Sequence, residues 1–186
     1  AEITLNKTEV TLDMNAEELK KQNESSTLID KVNLVATISP ETANINRNLT
    51  WSSSDNKVAE VDNTGRVTAI SNGIATITVT TVDGKTASCE VTVQTSPTKV
   101  TLDKTAVTLN TSAEELKKQD ENSALISQIS LNATIEPETA NIKTNLTWTS
   151  NNEKVVKVDE TGKVTGISNG TATITLTTEN GKTASC

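Results

Sequence analysis

The chain has 186 residues, of which 33% are hydrophobic and 1% aromatic, with a formal net charge of −7 and no histidine, tyrosine or phenylalanine. The commonest general base and metal ligand is therefore missing, and two tryptophans are the only aromatic surfaces available for sugars or bases. The acidity argues against a nucleic-acid partner, and no apolar run approaches the roughly 18 residues of a membrane span. We expect no enzymatic activity, no catalytic residue, no cofactor, no metal site and no membrane contact by this segment.

Short runs of alternating apolar and polar residues, separated by turn residues, predict the strands of a β-sandwich. In chain order the runs of the first half are Ile3–Leu5, Val10–Leu12, Leu34–Ile38, Leu49–Ser52, Val67–Ile70, Ala75–Val79 and Ala87–Val93. Pro40 should end the third run, and Gly65 can take the positive φ that a tight turn requires. The expected fold is all-β, an immunoglobulin-like sandwich of about seven strands.

Two segments interrupt the β pattern and predict short helical inserts, at 15–22 and 112–119. Asn15 and Ser112 are the expected N-caps, followed by acidic residues in the first turn and lysines in the last. Two turns are too short to be stable alone, so each insert must dock on its sandwich. The residues expected to dock them are Leu19, Leu28, Ile29, Leu116, Leu125 and Ile126. We expect the first helix to lie at the end of its sandwich where the chain leaves.

The second half of the chain repeats the first. A shift of 97 residues aligns Ile3–Cys89 with Val100–Cys186 without a gap, and 57 of the 87 aligned pairs are identical. The sequence thus predicts two tandem domains, copy one at 1–95 and copy two at 96–186. The short linker at 94–98 contains Pro97, which favours a stiff joint and an elongated pair of domains.

The order and spacing of several motifs are similar to a known family. In copy one these motifs are Ile3-Thr-Leu-Asn-Lys-Thr-Glu-Val10, Ala36-Thr-Ile-Ser-Pro40, Leu49-Thr-Trp-Ser-Ser53, Val58-Ala-Glu-Val-Asp62, Gly65-Arg-Val-Thr-Ala69, Gly73-Ile-Ala-Thr-Ile77 and Ala87-Ser-Cys-Glu-Val-Thr-Val93. Together they resemble the group-2 bacterial immunoglobulin-like domain over nearly the whole of both copies. The helical inserts, of which the first lies within residues 15–31, depart from the family's usual short turn.

The resemblance implies an extracellular location, at a bacterial cell surface or in the cell wall. Such modules occur in arrays on adhesins of the intimin and invasin kind, on wall-bound enzymes and on phage structural proteins. The family is not expected to carry a catalytic site, and the implied partners are neighbouring domains of the same surface protein.

The two tryptophans and two cysteines are the first candidate site residues. Trp51 and Trp148 are in phase with apolar neighbours on their strands, which favours core packing over a ligand platform. Cys89 and Cys186 occupy the same position in separate domains, and no histidine is present to activate a thiol. We interpret them as buried, unpaired thiols rather than as a disulfide, a metal pair or a nucleophile.

The acidic groups also have ordinary structural interpretations. The turns at 62–65 and 159–162 could offer oxygens to calcium, but they lack the alternating carboxylates of a dedicated loop. The first turns of the two helices are acidic by the normal preference for that position. These side chains are Glu17, Glu18, Glu114 and Glu115.

The leading functional hypothesis is a non-catalytic spacer, in which tandem rigid domains hold another part of a surface protein away from the cell. The alternative is a module that binds a host receptor or glycan through loops that differ between the copies, such as Asn46-Arg47 against Lys143-Thr144.

Copy two ends at Cys186, whereas copy one continues with Glu90–Val93. We therefore expect the last strand of copy two to be truncated and its neighbouring strand to have an open edge. Such an edge could accept a strand of another chain; the interpretation we favour is that the protein continues with Glu-Val-Thr-Val and that this sequence ends within the last strand.

Overall fold

In a computed structural model, which describes residues 2–40, 48–141 and 145–186, the chain divides into two compact units. Unit 1 is Ala1–Ser96 and contains copy one, and unit 2 is Pro97–Cys186 and contains copy two. The division lies one residue after the expected 95/96 boundary, because Ser96 is hydrogen-bonded to Asp13 of unit 1. The units are described separately below.

The described residues of each unit form strands and one short helix. The elements of unit 1 are β1 (Glu2–Leu5), β2 (Glu9–Asp13), α1 (Ala16–Gln22), β3 (Lys31–Asn33), β4 (Ala36–Ser39), β5 (Leu49–Ser53), β6 (Ala59–Val61), β7 (Arg66–Ala69), β8 (Gly73–Thr81) and β9 (Thr86–Gln94). The elements of unit 2 are β10 (Lys99–Leu102), α2 (Ala113–Gln119), β11 (Gln128–Ser130), β12 (Ala133–Glu136), β13 (Thr147–Ser150), β14 (Val156–Val158), β15 (Lys163–Gly166), β16 (Ile174–Thr177) and β17 (Thr183–Ser185). The all-β immunoglobulin-like fold with helical inserts is confirmed.

Unit 1 is built from two main sheets and one additional pair of strands. One sheet has the order β2-β9-β8-β5, the other has the order β3-β7-β6, and β1 pairs with β4. β9 is central to the larger sheet, because it pairs antiparallel with β8 along eight residues and parallel with β2 along five. The residues Glu90–Val93 in its second half are therefore paired on both sides.

The core of unit 1 lies between these sheets. Apolar side chains that alternate along β8 and β9 face those of β6 and β7, as period-two patterning predicts. The buried members of this cluster are Leu12, Leu34, Val58, Ala59, Val67, Ala75, Ile77, Cys89, Val91 and Val93. Nearly all are small or β-branched, which fits a chain with very few aromatic residues.

One predicted strand is divided in the structure. The run Leu34–Ile38 was expected to be continuous, but β3 ends at Asn33 and β4 begins at Ala36. The chain changes partners between them, since Leu34 donates its N–H to the Gly65 carbonyl at 2.9 Å and Val35 donates its N–H to Asn6 Oδ1 at 2.8 Å. With Ala59–Val61 as a further strand, the described part of unit 1 has nine strands rather than about seven.

The predicted helix caps are wrong. Neither Asn15 nor Ser112 makes a capping hydrogen bond with its side chain, because ψ near 10° at these residues is not the extended conformation that directs a cap toward the first amides. Instead the residue two positions earlier accepts the backbone N–H. Asp13 Oδ1 accepts from Asn15 and Asn110 Oδ1 accepts from Ser112, each at 2.9 Å.

The predicted docking of the helices is correct only in part. Leu19 is 4% exposed, but Leu116 at the same position of α2 is 37% exposed, and the further apolar residues assigned to docking remain exposed except for the half-buried Leu28. Those exposed residues are Ile29, Leu125 and Ile126. The first helical residues, Ala16 and Ala113, are buried in both units, so each helix is anchored through its first turn.

Unit 2 has the same arrangement with one strand fewer among its described residues. Its sheets have the orders β13-β16-β17 and β11-β15-β14, and β10 pairs with β12. The segment 106–110, which corresponds to β2, is not a strand, and β16 begins at Ile174 rather than at the position that corresponds to Gly73. Both differences adjoin the point where β17 ends.

Candidate functional site

The tryptophans face the cores, as predicted, but neither is fully buried. Trp51 and Trp148 are half-buried and pack against the core clusters of unit 1 and unit 2. A Cβ on Gly65 would lie 2.7 Å from Trp51 Cζ2, and a Cβ on Gly162 would lie 2.7 Å from Trp148 Cζ2. Each indole thus lies against a glycine turn, and this contact explains why no larger residue fits the turn.

The cysteines differ from each other in burial. Both are free, as predicted. Cys89 is fully buried in the core of unit 1 and burial raises its pKa, so the thiol stays neutral and unreactive. Cys186 is only half-buried, which corrects the prediction that both thiols are buried, although burial raises its pKa as well.

The carboxylates of the acidic turns accept hydrogen bonds from residues of their own turns. Asp62 Oδ1 accepts hydrogen bonds from Thr64 Oγ1 at 2.6 Å, the Thr64 N–H at 2.8 Å and the Arg66 N–H at 3.1 Å. These bonds, led by the Thr64 side chain, lower the pKa of Asp62. Asp159 makes the same bonds in unit 2, and its pKa is lowered for the same leading reason. Each carboxylate closes its own turn.

The acidic residues of the helices lie at the surface. Glu18 pairs with Lys21 at 3.5 Å and Glu115 with Lys118 at 2.7 Å, and all four side chains are exposed. Such pairs stabilise a helix only slightly. In the described ranges, no group of three or more Asp, Glu or Cys residues is placed to hold a metal ion. None of the described helices has the length and apolar character needed to cross a membrane.

The loops proposed for ligand binding fall outside the described residues. They are Asn46-Arg47 in copy one and Lys143-Thr144 in copy two.

A buried carboxylate fastens the end of unit 1. Asp13, at the end of β2, is 1% exposed. It accepts hydrogen bonds from the Ser96 N–H at 3.2 Å, from Ser96 Oγ and from Gln94 Nε2 at 3.3 Å, besides that from the Asn15 N–H. Asn15 Nδ2 donates to the Ser96 carbonyl at 2.7 Å, and the Met14 N–H to the Gln94 carbonyl at 2.9 Å. Helix α1 therefore begins beside the exit of unit 1, as predicted.

The first residue of unit 2 is fastened in a similar way. Asn180, in the hairpin between β16 and β17, donates from Nδ2 to the Pro97 carbonyl at 2.7 Å, while its Oδ1 accepts from Thr178 at 2.7 Å. Thr98 donates its N–H to the Glu136 carbonyl at 2.8 Å. Ser96 is thus bonded within unit 1, and the next residue, Pro97, is bonded within unit 2.

Unit 2 also contains an open groove of about 570 Å³ beside the end of β17. Its lining includes Val107, Leu109, Val156, the stretch 170–174 and Cys186. In unit 1 the positions that correspond to Leu109, Ala172 and Cys186 are Leu12, Ala75 and Cys89, which are all fully buried. In unit 2 each of the three is only half-buried.

The sequence was compared with models of known families. The family model described as "Bacterial Ig-like domain (group 2)" matches residues 18–91 and 127–186, which is more than two thirds of the chain. The chain belongs to this family. Its two copies are therefore two bacterial Ig-like domains, and the resemblance inferred from the motifs is confirmed.

Relatives of known sequence match parts of much longer proteins. An uncharacterized protein of Clostridium acetobutylicum is 31% identical over 170 residues, which cover 89% of this chain and 16% of that protein. A lacto-N-biosidase of Bifidobacterium bifidum is 50% identical over 60 residues, or 32% of this chain and 5% of that protein. An alpha-L-arabinofuranosidase of Bifidobacterium longum subsp. longum is 47% identical over 75 residues, or 39% and 7%. The chain thus spans a small fraction of the length of each.

Two solved structures of bacterial proteins are distantly similar. A C-terminal 282-residue fragment of intimin, in complex with the intimin-binding domain of the translocated intimin receptor, is 19% identical with a TM-score of 0.44, covering 100% of this chain and 62% of that chain. Domains 4 and 5 of the S-layer protein SbsC are 21% identical with a TM-score of 0.38, covering 99% and 96%.

Sequence reasoning missed Asp13 and Asn180. A signal for both was present in the alignment of the copies, where Asp13 corresponds to Asn110 and Asn180 to Asp83. A carboxylate at position 180 could not donate a hydrogen bond to the Pro97 carbonyl, whereas the amide can. An exchange of Asp for Asn is not diagnostic by itself, because Asp55 and Asn152 also differ in this way and both accept the backbone N–H of the residue two positions later.

Proposed function

We propose that this segment is a non-catalytic spacer of an extracellular bacterial surface protein. Tandem bacterial Ig-like domains would then hold another domain at a distance from the cell surface or cell wall, with neighbouring domains of the same protein as their partners. The observation that carries the proposal is the pair of fastened residues Ser96 and Pro97, since a spacer must transmit position through its joints.

The bonds at Asp13 give the spacer its physical basis. A buried carboxylate that accepts bonds from backbone and side chain fixes Gln94 and Ser96 more firmly than neutral pairs would. Pro97 restricts φ at the next residue. A linker whose residues are hydrogen-bonded to the adjoining units differs from a flexible linker. The distance between the ends of a flexible linker fluctuates as in a random coil.

Residual dipolar couplings test the stiffness of the joint. In the wild-type chain, couplings from both units should fit one alignment tensor. Asp13→Ala should release Ser96 and require two different tensors, whereas the matched variant Asn110→Ala, at the corresponding position of unit 2, should keep one. Two tensors in the wild-type chain would show a flexible joint and contradict the spacer proposal.

A second experiment tests the role in the parent protein. Replacing unit 2 by a further copy of unit 1 should preserve the surface presentation of the neighbouring domain. Replacing unit 2 by a Gly/Ser segment with the same number of residues should reduce that presentation. If the copy of unit 1 fails as badly as the flexible segment, unit 2 has a specific binding role instead.

A further inference from the structure

Asparagine followed directly by glycine occurs at three places in the chain, Asn72-Gly73, Asn169-Gly170 and Asn180-Gly181. In such a pair the backbone nitrogen of the glycine can attack the side-chain carbonyl carbon of the asparagine, because glycine has no Cβ that would hinder the approach. The side-chain amide leaves as ammonia, and a cyclic succinimide forms. Water then opens the succinimide to aspartate or isoaspartate. The reaction needs no enzyme, so the fold decides which of the three pairs reacts.

The surroundings of the glycine differ among the three pairs. A Cβ on Gly73 would lie 2.8 Å from Val58 Cγ2, and a Cβ on Gly170 would lie 2.8 Å from Val155 Cγ2. A Cβ on Gly181, in contrast, would meet no described atom within 4 Å. The attack requires the backbone on both sides of the glycine nitrogen to rotate, and close packing opposes that rotation. The pair that contains Gly181 is therefore the one least restrained by its neighbours.

The side chain of Asn180 connects the hairpin between β16 and β17 to the first residue of unit 2. Its Nδ2 donates to the Pro97 carbonyl at 2.7 Å, and its Oδ1 accepts from Thr178 Oγ1 at 2.7 Å. Deamidation removes Nδ2. A carboxylate has no hydrogen to donate to a carbonyl oxygen, so the product at this position could not keep the bond to Pro97.

Unit 1 shows that the hairpin accommodates the product. Asp83 occupies the corresponding position, and its Oδ1 accepts from Thr81 Oγ1 at 2.5 Å. The Gly84 N–H donates to the Thr81 carbonyl at 2.9 Å, as the corresponding groups do in unit 2. The Thr81 hydroxyl lowers the pKa of Asp83, so a carboxylate in this setting is ionised at neutral pH. Aspartate at position 180 would therefore keep the hairpin and lose the bond to Pro97.

We propose that Asn180 is a site of spontaneous deamidation, and that the reaction releases Pro97 from the hairpin. The Gly181 nitrogen bonds to Cγ of Asn180, the Cγ–Nδ2 bond breaks, and the proton of the Gly181 amide leaves with the ammonia. One water molecule then opens the succinimide to aspartate, or to isoaspartate, whose extra backbone methylene also distorts the hairpin. Because the ammonia is lost to solvent, the fraction of chains with a released Pro97 rises with the age of the protein.

The hairpin sets the pace of this reaction. The Gly181 N–H donates to the Thr178 carbonyl at 2.9 Å, and this bond must open before the nitrogen can attack. Local opening of an exposed hairpin is more frequent than opening of a packed core. A loosening of the joint with age rests on the spacer proposal, whereas the reaction itself does not.

Peptide mapping by mass spectrometry tests the reaction. The whole chain is incubated under native conditions at mildly alkaline pH, which favours loss of the glycine amide proton, and the acid forms of the three asparagines are followed over time. Asn180 should be converted at least tenfold faster than Asn72 or Asn169, and the three rates should become similar in denaturant. No conversion of Asn180, or a native rate equal to or below those of the other two, would overturn the proposal.

A first variant tests the route of attack. Gly181→Ala places a side chain beside the attacking nitrogen, and should slow the conversion of Asn180 at least tenfold. The hydrogen bond to Pro97 should persist, so the NMR amide signal of the next residue, Thr98, should stay close to that of the wild type. Conversion of Asn180 at the wild-type rate in this variant would contradict attack by the Gly181 nitrogen.

A second variant tests the structural effect without waiting for the reaction. Asn180→Asp has the side chain of the product, and should shift the amide signal of Thr98 and speed its hydrogen exchange. The amide signals of Thr178 and Lys182 in the hairpin should change little. An unchanged Thr98 signal would show that deamidation does not release Pro97. Neither the mass change nor these signals depend on the stiffness of the joint, so the spacer proposal is tested separately.

Discussion

Unit 1 and unit 2 share most of their sequence but differ in their cores. Ten apolar residues are buried in the cluster of unit 1, whereas in the described part of unit 2 the corresponding cluster contains Leu131, Val164 and Ile174. In unit 1 the segment Glu90–Val93 follows Cys89 and contributes Val91 and Val93 to the cluster, whereas the positions that would correspond to it in unit 2 lie after Cys186, where this sequence ends. In unit 1, the second half of β9 is therefore associated with the burial of Leu12 in β2 and Ala75 in β8.

The comparison shows that pairing decides conformation where local sequence does not. Val10-Thr11-Leu12 lies in β2, but the identical Val107-Thr108-Leu109 is not in a strand. Strand propensity is the same in both, and what differs is the neighbour that would complete the ladder. The same holds for Ala75-Thr76, which lies in β8, and Ala172-Thr173, which does not lie in β16.

The largest expected effect comes from shortening the two valines of β9 that fill the core of unit 1. Val91→Ala with Val93→Ala should destabilise unit 1 by about 4 kcal/mol, at roughly 2 kcal/mol for each buried valine. Denaturant unfolding followed by NMR signals of each unit measures the change. Thr92→Ala, on the opposite face of β9, should cost less than about 1 kcal/mol. A similar loss in the double variant and in Thr92→Ala would show that inward burial is not the cause.

The glycine turns should make the two units behave alike. Gly65 and Gly162 both have φ of +83°, and an added Cβ would lie 2.6 Å from the Leu34 carbonyl oxygen or 2.8 Å from that of Leu131. Either Gly→Ala substitution should cost about 2 to 4 kcal/mol, from strain and overlap together. Gly84→Ala is the control, since it has φ of +81° but nothing within 4 Å, and should cost about 1 kcal/mol. Equal effects at Gly65 and Gly84 would contradict the contact with Trp51.

The rate of thiol modification should also differ between the two units. Cys186 is half-buried beside the open groove and Cys89 is fully buried, so a thiol reagent should modify Cys186 at least tenfold faster in the native chain, since Cys89 reacts only after opening of its unit. Mass spectrometry of peptides from a time course measures both rates. The two rates should become equal in denaturant. Equal rates in the native chain would mean that the units protect their thiols equally.

The smallest expected effect is a dependence of stability on pH that both units share. The pKa values of Asp62 and Asp159 are lowered by hydrogen bonds from Thr64 and Thr161. A lowered folded-state pKa gives stability that is present above the ordinary value of 3.8 and is lost as pH falls through the folded-state value. Asp62→Asn or Asp159→Asn should therefore reduce the acid sensitivity of its own unit, as measured by unfolding between pH 2 and pH 5. An unchanged acid response would show that the turn carboxylates are not the groups involved.

The sequence predicted the repeat, the all-β fold, the family and the inward tryptophans, because these depend on patterns within one copy. Pro40, for example, follows directly after the end of β4, as predicted. The division at Leu34 and Val35 was not predictable from alternation, because apolar residues continue on both sides while the backbone bonds change partner. The half-burial of Cys186 was not predictable from the residues before it, which are identical to those before Cys89.

The candidate sites were harder to predict than the fold. Asp13 lies at the end of an ordinary strand, and its partner Ser96 is 83 residues away in sequence, so no local motif identifies the pair. An open edge beside the last strand of copy two was expected, but the absence of a strand at 106–110 was not. That segment keeps the alternating pattern of β2 and lacks only its partner.

Amide hydrogen exchange of the whole chain tests most directly the claim that Glu90–Gln94 organises unit 1. The account predicts slow exchange at Leu12 and Ala75, and exchange at Leu109 and Ala172 that is on the order of a hundredfold faster, because those amides lie beside the open groove. Protection at Leu109 and Ala172 equal to that of their counterparts in unit 1 would contradict the account.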